Sequence, residues 1–408
     1  MMSYTISIFF LLIIARFNNI ISKKMLFPPL YLSMVWIVMI SLHLFFTKFS
    51  DYTPYSLRTT TLLYFFSTIF FFSLGGALAK LNDRSMYKKN IHVHLSNKAL
   101  NWLVVIIITL LLLFIFKIKE ITGEYFNMLL FRYYTSVKSV DIGLIKYGFI
   151  FSLFATMLVL IKYYNSEAVT RFTKFKTITV ILCSFALAYL SGSRGAIFFL
   201  SLSMLGIYSI YRRVNIKLIA KSVVIILILF FGMATALKKA MPNQHHSDVK
   251  YNAAQKLEYF LYSYGTLPLS AFDNFLNKPY DVLNGEILLR FPKALLFKIG
   301  VTSDPPQKLV EEYSEVPDLV NVYTGYYKLI KDFGILYSFF VMLILGYLHS
   351  YFFFNVKKSF DAIIGFSVLL FPLTMLFFEE NFLSILSTWI QLIFYTFMAK
   401  KIIKITYD

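Results

Sequence analysis

Cysteine, acidic residues and nucleotide-binding motifs are scarce or missing in this chain, and each shortage removes a class of protein. One cysteine, Cys183, stands in an apolar run among 408 residues; it excludes an internal disulfide and supports no redox or zinc site. Charged residues amount to 15% against 58% apolar, too little charge to cover a soluble protein of this length. There is no Walker motif, no dinucleotide fingerprint and no Asp-x-Asp pair of the kind that chelates the metal of a sugar nucleotide. His245-His246 invites a metal reading, but no third ligand follows at suitable spacing, so the pair reads as solvated loop and neither metal nor cofactor is expected.

What fills the chain instead is apolar segments of membrane-crossing length. Eleven are legible, at about 3–21, 29–48, 59–79, 99–117, 144–163, 177–191, 195–211, 218–237, 333–354, 360–378 and 384–399. The expected fold class is an all-α polytopic membrane protein of about 11 (10–12) transmembrane helices. Basic residues outnumber acidic ones, 40 to 21, and half of them fall in alternate short loops. Those are Lys23/Lys24, the 80–98 loop, the 162–176 loop, the 212–221 loop, Lys357/Lys358 and the tail Lys400/Lys401/Lys404. The positive-inside rule makes that side cytoplasmic, with the N-terminus outside and the C-terminus inside. A basic rim against the lipid bilayer accounts for the net charge of +19 without nucleic acid. No Lys or Arg precedes Arg16, so the first segment is expected to be a retained span and not a signal peptide.

The same alternation divides the chain into an N-terminal bundle (1–237), a large outer loop (238–321) and a C-terminal bundle (322–408), with a smaller outer loop at about 119–143. Long loops without a function are uncommon, and this one carries nearly half of the acidic residues. Its Tyr251–Tyr264 stretch spaces Ala254, Leu257 and Leu261 at helical intervals, and Ile287–Ile299 around Pro292 reads as a second interfacial helix.

Two spans on the outer side are joined by Ser191-Gly192-Ser193-Arg194-Gly195. A Gly/Ser hairpin needs no arginine, and a guanidinium there must snorkel to water or meet an anion. Ser193 is placed as the N-cap of the span that begins near Arg194, so the free amides and positive dipole end of that helix would face the anion beside the guanidinium. The competing reading is a turn whose arginine snorkels.

Over a hundred residues later stands Asn321-Val-Tyr-Thr-Gly-Tyr-Tyr-Lys-Leu-Ile-Lys-Asp332-Phe-Gly-Ile-Leu. With the Ser-Gly-Ser-Arg-Gly turn and the outer loop between them, this resembles the Wzy-type O-antigen and oligosaccharide repeat-unit polymerases, which share Asn-x-Tyr/Phe-Thr, a short gap and Asp-Phe-Gly at a helix entrance. The specific motifs amount to some twenty residues. The resemblance implies a GT-C-like glycosyltransferase in the bacterial inner membrane. It implies polymerisation of undecaprenyl-pyrophosphate-linked oligosaccharide into O-antigen or capsule-like polysaccharide at the periplasmic face, without ATP or metal, and a chain-length regulator as partner.

Two lipid pyrophosphates held at once give a reason for several cations. Arg290 and Lys293, three apart, share one side of a helix; they form a second cationic wall or anchor to anionic lipid. Arg132, on the smaller outer loop, is a third candidate or part of a solvated face. An acceptor hydroxyl must lose a proton, which points to Asp332 or to Glu379-Glu380 in the last outer turn, while Tyr323 and Thr324 would hydrogen-bond glycan or phosphate. Asp332 serves equally as an arginine partner or a cap, and Tyr323 and Thr324 as a helix start. An O-antigen ligase and a flippase of lipid-linked oligosaccharide are the alternatives; the first wants a patterned histidine in the large loop, the second a charged cavity open to both sides.

Overall fold

The computed structural model describes residues 2–83, 91–136, 138, 140–166, 169–236, 252–305 and 312–407. Arg84, Lys88, Lys89, the loop start at Lys238 and His245-His246 lie outside these described residues. The chain is mostly helical. In order come α1 (Met2–Ile21), α2 (Pro28–Phe49), α3 (Thr59–Leu81), β1 (Ile91–Leu95), α4 (Asn97–Thr122), α5 (Met128–Ser136), α6 (Gly148–Asn165), α7 (Arg171–Leu190), α8 (Arg194–Tyr211) and α9 (Ile216–Ala236). There follow α10 (Ala253–Gly265), α11 (Leu267–Leu276), α12 (Arg290–Lys298), β2 (Ser314–Glu315), β3 (Leu319–Val320), α13 (Tyr326–Asn355), α14 (Phe360–Met375), α15 (Leu386–Ala399) and β4 (Ile403–Tyr407).

Each of the eleven apolar segments is a helix. Among the described residues, eight helices are long and apolar enough to cross a membrane (α1–α4, α6–α8 and α13), and α14 and α15 are shorter apolar helices. Side chains such as Phe9, Ile228 and Leu336 stand 59%, 64% and 79% exposed. In water such a surface would aggregate; in lipid it is the solvated one. The protein is a membrane-embedded, polytopic helical protein. Local signals set several ends. Ser96 caps α4 by accepting from the Ala99 amide at 3.0 Å, Gly123 closes α4 with φ 78°, and Asn252 and Gln255 form a reciprocal capping box on α10. Among the described residues, the fold departs from all-α only in two short antiparallel ladders, β1–β4 and β2–β3.

The chain groups into two compact units. The first comprises Met1–Arg84, Met241–Phe354 and Phe371–Ser387. Its core is aromatic: Trp36 lies 4.3 Å from Phe65 and 5.4 Å from Tyr326 between ring centroids, and all three are fully buried. Helices α3 and α13 touch backbone to backbone, since a Cβ on Gly75 would fall 2.0 Å from the Leu343 carbonyl oxygen and one on Gly346 2.0 Å from that of Phe72. The segment of α10 and α11, between the apolar helices α9 and α13, is part of this core. Asp273 of α11 accepts from the Arg58 amide (2.8 Å) and the Thr61 hydroxyl (2.6 Å) and so caps α3 from a distance, while Ser50 donates to Glu258 of α10 at 2.7 Å.

The second unit comprises Ser85–Ala240, Asn355–Leu370 and Thr388–Asp408. Helix α6 is enclosed, with every residue from Ser152 to Ile161 buried, and Thr156 donates to Ser184 of α7 at 2.9 Å. Strands β1 and β4 pair from Ile91↔Tyr407 to Leu95↔Ile403. Around this ribbon Lys162 Nζ donates to the Leu95 carbonyl (2.6 Å) and Asn97 Oδ1 (2.8 Å), the Ile91 amide to the Lys357 carbonyl (2.9 Å), and Lys400 to Asp361 (2.7 Å). Loops that charge alternation assigned to one side are therefore gathered at one end of this unit.

Candidate functional site

The candidate residues form two groups, one in each unit. In the second unit, α7 ends at Leu190 and α8 begins at Arg194, so the intervening turn is Ser191-Gly192-Ser193. Gly192 takes φ 65°, a left-handed conformation that favours glycine. Ser193 occupies the expected N-cap position, but its side chain makes no capping bond; its amide donates to Ser191 Oγ at 3.3 Å. The leading amides of α8 are thus not closed off by the Ser193 hydroxyl. Arg132, carried by α5, reaches this turn and donates from Nη1 to the Gly192 carbonyl at 2.6 Å. The Arg194 guanidinium lies over the Phe230 ring of α9, 5.3 Å from its centroid. Two guanidiniums therefore attend one helix entrance.

In the first unit, α13 opens with Tyr326–Phe333 and breaks at Gly334, whose φ of 80° and ψ of 171° suit only glycine. Asp332, just before the break, is fully buried. Its carboxylate accepts the Ile287 amide at 3.1 Å on each oxygen and the Leu288 amide at 2.6 Å. Those amides belong to the turn that enters α12, where Arg290 is the first residue. Arg290 is half-buried and has no hydrogen-bond, ion-pair or ring partner among the described residues. Lys293, one turn on, is bonded to Glu286.

The acidic pair in the last turn divides. Glu380 is fully buried and accepts the Phe382, Leu383 and Ser384 amides at 2.6, 2.7 and 2.9 Å. Glu379 has a half-exposed carboxylate that receives Lys328 Nζ at 3.2 Å, and that lysine is itself buried. Tyr323 and Thr324 are both buried. Tyr323 stacks on Tyr327 at 4.2 Å and donates to the Glu312 carbonyl at 3.0 Å; the Thr324 hydroxyl has no hydrogen-bond partner among the described residues. These two hydroxyls are packed beneath the surface and not presented on it.

Residues not singled out from sequence are Lys328, Glu286 and Phe230, which partner the named ones. A lysine in the apolar helix start Tyr-Tyr-Lys-Leu-Ile was a visible signal for the first. Fold and site together define a polytopic helical membrane protein with arginines at two helix entrances. Compared with protein-family models, curated proteins and solved structures, the chain matches none.

Proposed function

We propose that this protein is a metal-independent glycosyltransferase that polymerises undecaprenyl-pyrophosphate-linked oligosaccharide repeat units. It works at the periplasmic face of a bacterial inner membrane, with eleven spans, the N-terminus outside and the C-terminus inside. The observation that carries the reading is the meeting of Arg132 with the Gly192-Ser193-Arg194 turn at the entrance of α8. Helix amides, a positive dipole end and two planar guanidiniums suit a pyrophosphate, which offers paired oxygens and several negative charges. Arg290, at the start of α12 and without a partner among the described residues, offers a further cation for a lipid pyrophosphate headgroup.

In the reaction, a hydroxyl at the non-reducing end of one lipid-linked repeat unit attacks the anomeric carbon of the glycan on another. The new glycosidic C–O bond forms as the C–O bond to pyrophosphate breaks, and the leaving undecaprenyl pyrophosphate takes the electron pair. Arginines placed where that charge develops lower the barrier, each by about 10²–10³ in rate. The attacking hydroxyl gives up its proton to a base as the bond forms; of the named carboxylates in the first unit, Glu379 is the half-exposed one and pairs with Lys328, whereas Asp332 and Glu380 are held by backbone amides.

Purified protein given only undecaprenyl-pyrophosphate repeat units in EDTA is expected to lengthen them and release undecaprenyl pyrophosphate. An absolute need for a sugar nucleotide or Mg²⁺ would overturn the proposal.

A further inference from the structure

We infer that Asp332 is a positioning residue: it sets the Arg290 helix in place and does not meet the reacting atoms, an inference that rests on the reading of Arg290 as a pyrophosphate contact. The carboxylate is fully buried, and its three hydrogen bonds among the described residues all come from the backbone amides of Ile287 and Leu288. A second bond fixes the same two strands of chain, from the Leu283 amide to the Lys331 carbonyl at 2.8 Å. Between these anchors the 282–289 turn reverses through Asn284 (φ 51°) and Gly285 (φ 85°) and delivers Arg290 at the first position of α12.

The charge of Asp332 matters as well as its reach. A carboxylate accepting amides just ahead of a helix satisfies donors that have no intrahelical partner and complements the dipole. It does so without neutralising Arg290, whose side chain has no partner among the described residues. Gly334 completes the device: by ending the first piece of α13 at φ 80°, it turns the chain immediately after Asp332 and lets the second piece run on. The Asp-Phe-Gly triplet thus acts as a clamp and hinge for the neighbouring turn, and Arg290 is its output.

The test compares wild type, D332N, R290A and the double variant in nanodiscs by hydrogen exchange and by lipid-pyrophosphate turnover. D332N is isosteric but replaces one acceptor oxygen with a donor. Exchange at Ile287 and Leu288 should quicken by about tenfold or more, while the Phe382–Ser384 amides held by Glu380 stay at wild-type rates. The apparent KM for the lipid-linked repeat unit should rise, the shape of the pH–rate profile should not change, and D332N should add little to R290A. If D332N does not accumulate, Leu288→Pro removes the shortest donor from the other side and should show the same KM rise and the same coupling. Unchanged exchange at Ile287 and Leu288 would overturn the inference. So would loss of kcat with KM and exchange unaltered, or full additivity with R290A. Absence of turnover in the wild type would sink the proposed function alone, since exchange still reports the link between Asp332 and α12.

Discussion

The Arg132 guanidinium donates to the Gly192 carbonyl at 2.6 Å across 60 residues of sequence, which places a cation from α5 against the turn that opens α8. The bond also braces the turn, because the aliphatic part of Arg132 packs over Gly192, where a Cβ would lie 3.5 Å from that of Arg132. Arg132 and Arg194 thus belong to one structural feature.

Replacing Arg194 by Ala or Lys should abolish long-chain product while the protein remains in the membrane. A point charge cannot reproduce the planar, forked contact, and the expected loss is about 10²–10³ in turnover. Arg132→Lys should fall short of wild type for the same reason. Release of undecaprenyl pyrophosphate by purified variants reads both, and wild-type rates from Arg194→Ala would end the clamp.

Two glycines should resist substitution for different reasons. Gly334→Ala puts a side chain at φ 80°, ψ 171°, a strain of about 1–3 kcal/mol. Gly346→Ala drives a methyl to 2.0 Å from the Phe72 carbonyl oxygen, so α3 and α13 must part, at a cost of about 1–3 kcal/mol. Thermal unfolding in detergent should show a lower midpoint for each. Only Gly334→Ala should also quicken exchange at Ile287 and Leu288.

Acidity should favour the corner around Asp318. Burial pushes its carboxyl above the ordinary value, and a hydrogen bond with Tyr262 offsets part of that rise. Between the unfolded and the raised folded value, the folded protein holds a proton that the unfolded chain has released. The stabilisation is therefore complete below the unfolded value of about 3.8 and is lost as pH rises through the folded one. Asp318→Asn should flatten this dependence in a series of thermal melts across that interval; an unaltered slope would contradict it.

Cysteine labelling can decide the orientation, since Cys183 is the one native thiol to replace. Probes at Thr170, Asn215 and Lys357 should react only from the cytoplasmic side, and probes at Leu130, Ser193 and Tyr280 from outside. External labelling at Asn215 and none at Tyr280 would invert the protein and remove the case for an outward site.

Apolar length, helical spacing and turn residues are local properties, so the sequence by itself determined the eleven helical segments, the start of α8 at Arg194 and the helices α10 and α12. A run of apolar residues must satisfy its own backbone in lipid whatever its neighbours are, and the helix is the form that does so within one segment. Partner choice is not local. That Arg132 meets Gly192, that the Asp332 carboxylate is spent on the Ile287 and Leu288 amides, and that Glu380 is buried while adjacent Glu379 faces Lys328 all depend on which helices pack together. Neighbouring glutamates look alike in a sequence; only the turn that buries one and opens the other gives them different chemistry. The β1–β4 ribbon escaped for the same reason, because its two five-residue strands lie over three hundred residues apart and neither can satisfy its backbone alone.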